Sequence, residues 1–172
     1  MINRKHHHNN ASRAGISLVE VAVSILIVGL LLVTSLQALG HVTKGKNETA
    51  DVVRAQHLCR QMLAEVLATA YEEPVDTPVF GREAAETALK RDKYDDVDDF
   101  NGWHVGPPSD ELRFVLPGFS GAWSRQVTVD LVTAADPSVV AGSDEGVKRV
   151  KITIWKSGSI LAEMVALRSN KY

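Results

Sequence analysis

Residues 15–39 read GISLVEVAVSILIVGLLLVTSLQAL, and this stretch decides the architecture of the chain. Of the residues after Gly15, only Glu20 carries a charge. About 24 residues at 1.5 Å rise make a helix of roughly 36 Å, enough to cross a hydrocarbon core about 30 Å thick. An ionised side chain placed in lipid costs about 2.5–3.5 kcal/mol on the insertion scale. A lone acid near the start of such a helix therefore needs a reason to be there. Two plain readings are open. One is a simple single-pass anchor with an incidental glutamate. The other is a secretory signal cut after the small-residue triplet Ala38-Leu39-Gly40, although its apolar region should run only about 7–15 residues.

The flanking residues carry a family resemblance. A short leader with Arg4, Lys5 and Arg13 ends in Ala14-Gly15, and Ile16-Ser17-Leu18-Val19-Glu20-Val21 opens the apolar helix. This resembles the class III signal of type IV pilins and type II secretion pseudopilins. The family more often has Phe or Met after the scissile Gly and Thr in place of Ser17. The resemblance implies that prepilin peptidase cuts between Gly15 and Ile16 and that the new amine of Ile16 is N-methylated. It also implies that Glu20 pairs with that amine on a neighbouring subunit. A charge-assisted contact of this kind would replace hydration lost in lipid and set the stagger of adjacent helices.

Outward from the apolar stretch, the helical period continues. Val52, Ala55, Leu58, Cys59, Met62, Val66 and Ala70 recur at three- and four-residue spacing, which predicts an amphipathic continuation packed on a sheet. Glu72-Glu73-Pro74 ends it, and residues 82–89 are expected to form a short surface helix. The expected organisation is a leader (1–15), a transmembrane and filament-core helix (16–39), its amphipathic continuation (40–71) and an α+β head (72–172). No proline interrupts the long helix; Gly29, Gly40 and Gly45 are its weak points.

The segment 94–103, YDDVDDFNGW, places Asp95, Asp96, Asp98 and Asp99 within five residues. Calcium, a hard cation taking six to eight oxygens, is the chemically obvious ligand for them, but the EF-hand order is not met. The plainer expectation is an aromatic-pinned acidic turn with solvated carboxylates. The segment is similar to one in MSHA-type minor pilin-like proteins and in I- and V-type minor components.

From Asp110 the period changes to two. Strands are expected at 111–116, at 124–131 with Val127, Val129 and Leu131 on one face, and at 147–156 and 159–168 around a Ser157-Gly158 turn. Val150, Ile152 and Ile154 are expected to face the helix stripe. Lys148, Arg149 and Lys151 read as a solvated face protecting a strand edge. Trp103, Trp123 and Trp155 read as packing aromatics. The expected fold is thus α+β and pilin-like, a long N-terminal helix on an antiparallel sheet of three or four strands.

Composition narrows the function. The 172-residue chain has net charge −2, and loss of the leader leaves 16 basic and 21 acidic side chains. No basic field points to nucleic acid. The single cysteine, Cys59, excludes an intrachain disulfide and reads as a core residue. No phosphate loop, zinc-ligand spacing or nucleophile elbow is present, so no catalysis is expected. The tract His6-His7-His8 falls in the leader and His41, His57 and His104 are scattered.

The resemblance implies a non-enzymatic minor subunit of a type II secretion pseudopilus or a type IV pilus. Its partners would be other pilin or pseudopilin subunits, prepilin peptidase, an inner-membrane assembly platform and, before assembly, lipid. Its N-terminus would be cytoplasmic and its head periplasmic or extracellular. The rival classes are a membrane-anchored binding protein that never polymerises, with the acidic segment as its site, and a DNA-uptake pilin, which the acidic mature charge disfavours.

Overall fold

The structure is a computed structural model that describes residues 17–74, 79–83, 86–87 and 90–171. The element order is a 51-residue helix, α1 (Leu18–Ala68), a 3-10 turn (Asp98–Phe100), and strands β1 (His104–Val105), β2 (Trp123–Leu131), β3 (Val147–Lys156) and β4 (Ser159–Ser169). The chain divides into two compact units, Met1–Lys46 and Asn47–Tyr172.

In the first unit, Ser17 stands just ahead of α1 and its Oγ accepts from Val19 N–H at 3.4 Å, the contact an N-cap makes with one of the first-turn donors. Ser24, Thr34, Ser35 and Thr43 turn their hydroxyls back onto carbonyls three or four residues earlier. Those polar side chains are therefore satisfied within the helix. The helix runs through Gly29, Gly40 and Gly45 without a break.

The second unit is the α+β part. Its sheet has order β1-β2-β3-β4, antiparallel throughout. Ala55, Leu58, Cys59, Met62 and Val66 of α1 are buried in one cluster with Val127, Val129, Val150, Ile152 and Ile154. Each large aliphatic side chain enclosed this way contributes about 1.5–3 kcal/mol. Val52 stays exposed and Ala70 lies past the helix end, so the buried stripe is shorter than its period suggests. The hairpin joining β3 to β4 turns at Ser157 (φ 50°) and Gly158 (φ 82°). Two positive φ values match the right-handed twist of the strands they join.

Two expected elements are corrected. Residues 111–116 form no strand, only a single bridge between Ser109 and Val115. Asp110 is the reason: its carboxylate accepts from Phe114 N–H at 2.7 Å, its carbonyl accepts from Arg113 N–H, and Arg113 takes φ 76°. That local turn outcompetes pairing. The fourth strand is instead β1, two residues long and too short for a period to reveal. In the expected helix at 82–89, the described residues Arg82, Glu83, Glu86 and Thr87 are not helical, and the remaining four lie outside the described residues.

Cys59 is fully enclosed, 3.9 Å from the Ile152 carbonyl, and burial pushes its thiol up to about 11. Because the folded value exceeds the ordinary one of about 8.5, the neutral thiol persists through pH 8. A thiol-specific chromogenic reagent at that pH should leave the native chain unlabelled and react with one thiol per chain in denaturant. Rapid labelling of the native chain would contradict this packing.

Candidate functional site: an exposed apolar helix and a buried acidic turn

In the first unit every described residue of α1 is exposed, including Leu18, Ile25, Leu26, Leu30, Leu32 and Leu36, each more than half accessible. This is one helix long and apolar enough to cross a membrane. A fully apolar circumference with nothing over it has no stable place in water; lipid or other helices suit it. Glu20 sits in the first turn, where a negative charge complements the helix dipole. Its backbone carbonyl is occupied by Ser24 Oγ at 2.7 Å. Gly15 and Ile16, the expected cleavage and methylation site, lie outside the described residues.

In the second unit, the acidic segment folds against the end of α1. Ala70 pairs in parallel with Asp96, with Ala70 N–H to the Asp95 carbonyl at 2.9 Å and Val97 N–H to the Ala70 carbonyl at 3.1 Å. The expectation of solvated carboxylates is corrected: Asp96, Asp98 and Asp99 are all at most 2% exposed, and only Asp95 is open to water. Backbone donors explain how they can be buried. Asp96 Oδ1 accepts from the N–H groups of Asp98 (2.8 Å) and Asp99 (3.2 Å). Asp99 Oδ2 accepts in return from Asp95 (3.0 Å) and Asp96 (3.1 Å), a reciprocal cap around the 3-10 turn. Desolvation, then the neighbouring Asp98 and Asp99, pushes the Asp96 carboxyl up to about 7.

Asp98 answers to a different partner. Its Oδ1 receives the Lys148 ammonium and its Oδ2 accepts from Gly81 N–H at 2.8 Å. Lys148 also donates to the Tyr71 carbonyl and lies 4.3 Å from the centroid of the Tyr71 ring. The expectation of a solvated Lys148 is therefore corrected as well. It alternates with Val150, Ile152 and Ile154 on the inner face of β3, and the charge of Asp98, 50 residues earlier in sequence, together with the Tyr71 carbonyl makes that position tolerable.

The four aspartates flagged as calcium candidates, Asp95, Asp96, Asp98 and Asp99, do not converge as one ligand set. Three are committed to backbone N–H groups or to Lys148. The exception is Asp99 Oδ1, which is buried without a donor; a carboxylate oxygen of Asp99 also lies within 4.8 Å of one each from Glu83 and Glu86.

A second polar cluster was not foreseen. Trp103, 1% exposed, has two guanidiniums near its ring, Arg91 at 4.3 Å and Arg125 at 5.5 Å from the centroid. Arg91 reaches Glu65 through Nε at 2.6 Å and Nη2 at 3.2 Å. Arg125 is fully buried and donates to the Ser109 carbonyl, and burial together with Arg91 pushes it down to about 10. Alternation along β2 with Val127 and Val129 puts Arg125 on the inner face, so its placement was legible and its partners were not. Trp123 is buried and Trp155 half-buried on the sheet. No family model matches the chain, and neither the curated proteins nor the solved structures contain a match.

Proposed function

We propose that the chain is a non-enzymatic, pilin-like minor subunit that assembles through its N-terminal helix, in a type II secretion pseudopilus or a type IV pilus. The observation that carries this reading is Glu20: a single acid in the first turn of a helix that is apolar and exposed through residues 18–39. The leader sequence supplies its counterpart, because cleavage between Gly15 and Ile16 would create a cationic amine four residues before the acid. In lipid each group lowers the cost of the other, and pairing between subunits favours a staggered stack of helices over isolated anchors. The apolar circumference then exchanges lipid for neighbouring helices, and the sheet-bearing unit is carried outside the membrane with the N-terminus cytoplasmic. Retention of the acid fits a subunit that can sit beneath another one. The family assignment rests on the resemblance of the N-terminal motif.

Intact mass of the mature protein tests the reading. The expected mass lacks residues 1–15 and carries one added methyl group. A mature chain that still begins at Met1 would defeat it.

A further inference from the structure

We propose that Glu83, Glu86 and Asp99 form a calcium site in the second unit, a reading independent of filament assembly. One carboxylate oxygen from each lies within 4.8 Å of the others. Asp99 is 1% exposed, its Oδ1 has no hydrogen-bond partner, and both carboxylate oxygens of Glu83 are likewise shut from solvent without one. Buried acceptors without donors are rare because each forfeits its hydration. A cation held among the three carboxylates would satisfy the unpartnered oxygens of Glu83 and Asp99 together.

The ligand chemistry favours calcium. Calcium binds oxygen at about 2.3–2.6 Å in flexible geometry, compatible with three carboxylate oxygens within 4.8 Å of one another. Magnesium demands near-ideal octahedral geometry and is rarely held by a set of protein carboxylates alone. No nitrogen or sulfur ligand is present in the set, which disfavours zinc and copper. Three carboxylates leave coordination positions for water, as calcium's six to eight ligands require.

The remaining groups around the cluster are consistent with this use. Asp99 Oδ2 is fixed by two backbone N–H groups, so Oδ1 is held in place. Glu86 Oε2 accepts from Glu83 N–H at 3.0 Å, which ties the two glutamates to each other. Arg82 donates to the carbonyls of Asp99 and Asn101 at 3.1 and 3.0 Å, and its charge offsets part of the repulsion.

The test is calcium titration of the full-length protein in detergent after chelator treatment, by calorimetry and by thermal unfolding, with magnesium as comparison. Expected are one calcium per chain, a dissociation constant on the order of 10⁻⁴ M or tighter, and a Tm raised by several degrees at millimolar calcium. Asp99→Asn also disturbs the turn, so the decisive variant is Glu83→Gln with Glu86→Gln, which keeps the acceptor for Glu83 N–H. It should lose at least tenfold in calcium affinity with its circular dichroism unchanged. The proposal is overturned if the wild-type chain gives no saturable calcium signal, if the double variant binds calcium as tightly as wild type, or if magnesium binds equally well.

Discussion

Replacing Glu20 by alanine should abolish polymer formation while leaving the unit Asn47–Tyr172 folded. The substitution removes an ionised group from the first turn of a helix that is apolar all round, so a single anchored chain should insert more easily, by about 2.5–3.5 kcal/mol. What would disappear in the proposed assembly is the carboxylate partner of an amine freed by cleavage after Gly15, and with it the reason for one helix to dock beside another in a fixed stagger. Membrane insertion and assembly should therefore move in opposite directions. That divergence separates the subunit reading from a solitary anchored binding protein, for which Glu20→Ala would leave ligand binding unchanged. Filaments counted by electron microscopy, alongside membrane fractionation and the Tm of the same preparation, provide the readout. Polymers of ordinary number from the alanine variant would sink the assembly role of Glu20.

The largest expected loss of stability comes from Lys148→Met. Lys148 and Asp98 side chains are each 3% exposed and face one another, so removing the ammonium strands a carboxylate in the interior. Breaking one side of a buried pair costs about 3–5 kcal/mol. For a unit of this size that corresponds to a fall in Tm on the order of 10–20 °C. Combining Lys148→Met with Asp98→Asn should recover most of it, because the amide is neutral and can still accept from Gly81 N–H. Thermal unfolding of wild type, both single variants and the pair forms a double-mutant cycle. If Lys148→Met alone left Tm unchanged, the pair would not be sustaining the packing around the acidic turn.

These two residues mark the boundary between what can be read along the chain and what cannot. The place of Glu20 in the first turn of an exposed apolar helix was legible because it is local: one charge and a long apolar run lie within a few turns. The same holds for the extent of α1, for β2 to β4 and for the Ser157-Gly158 turn, where period and turn chemistry act over neighbouring residues. Lys148 and Arg125 were half-legible. Strand alternation places both on the inner face with Val150 and Val127, yet a charge at an inward position looks like an error of phase until its partner is known.

By itself the sequence determined the α+β layout, the helix stripe Ala55, Leu58, Cys59, Met62 and Val66, and the apolar helix that carries Glu20. Each follows from patterns repeating every two residues or every three to four. Only the tertiary structure decided that Asp98 meets Lys148, that Arg91 and Arg125 both come close to Trp103, and that Asp99 gathers with Glu83 and Glu86. Those contacts join segments roughly ten to fifty residues apart. A buried charge is tolerated or expelled according to what the folded chain brings against it, and no local period encodes that.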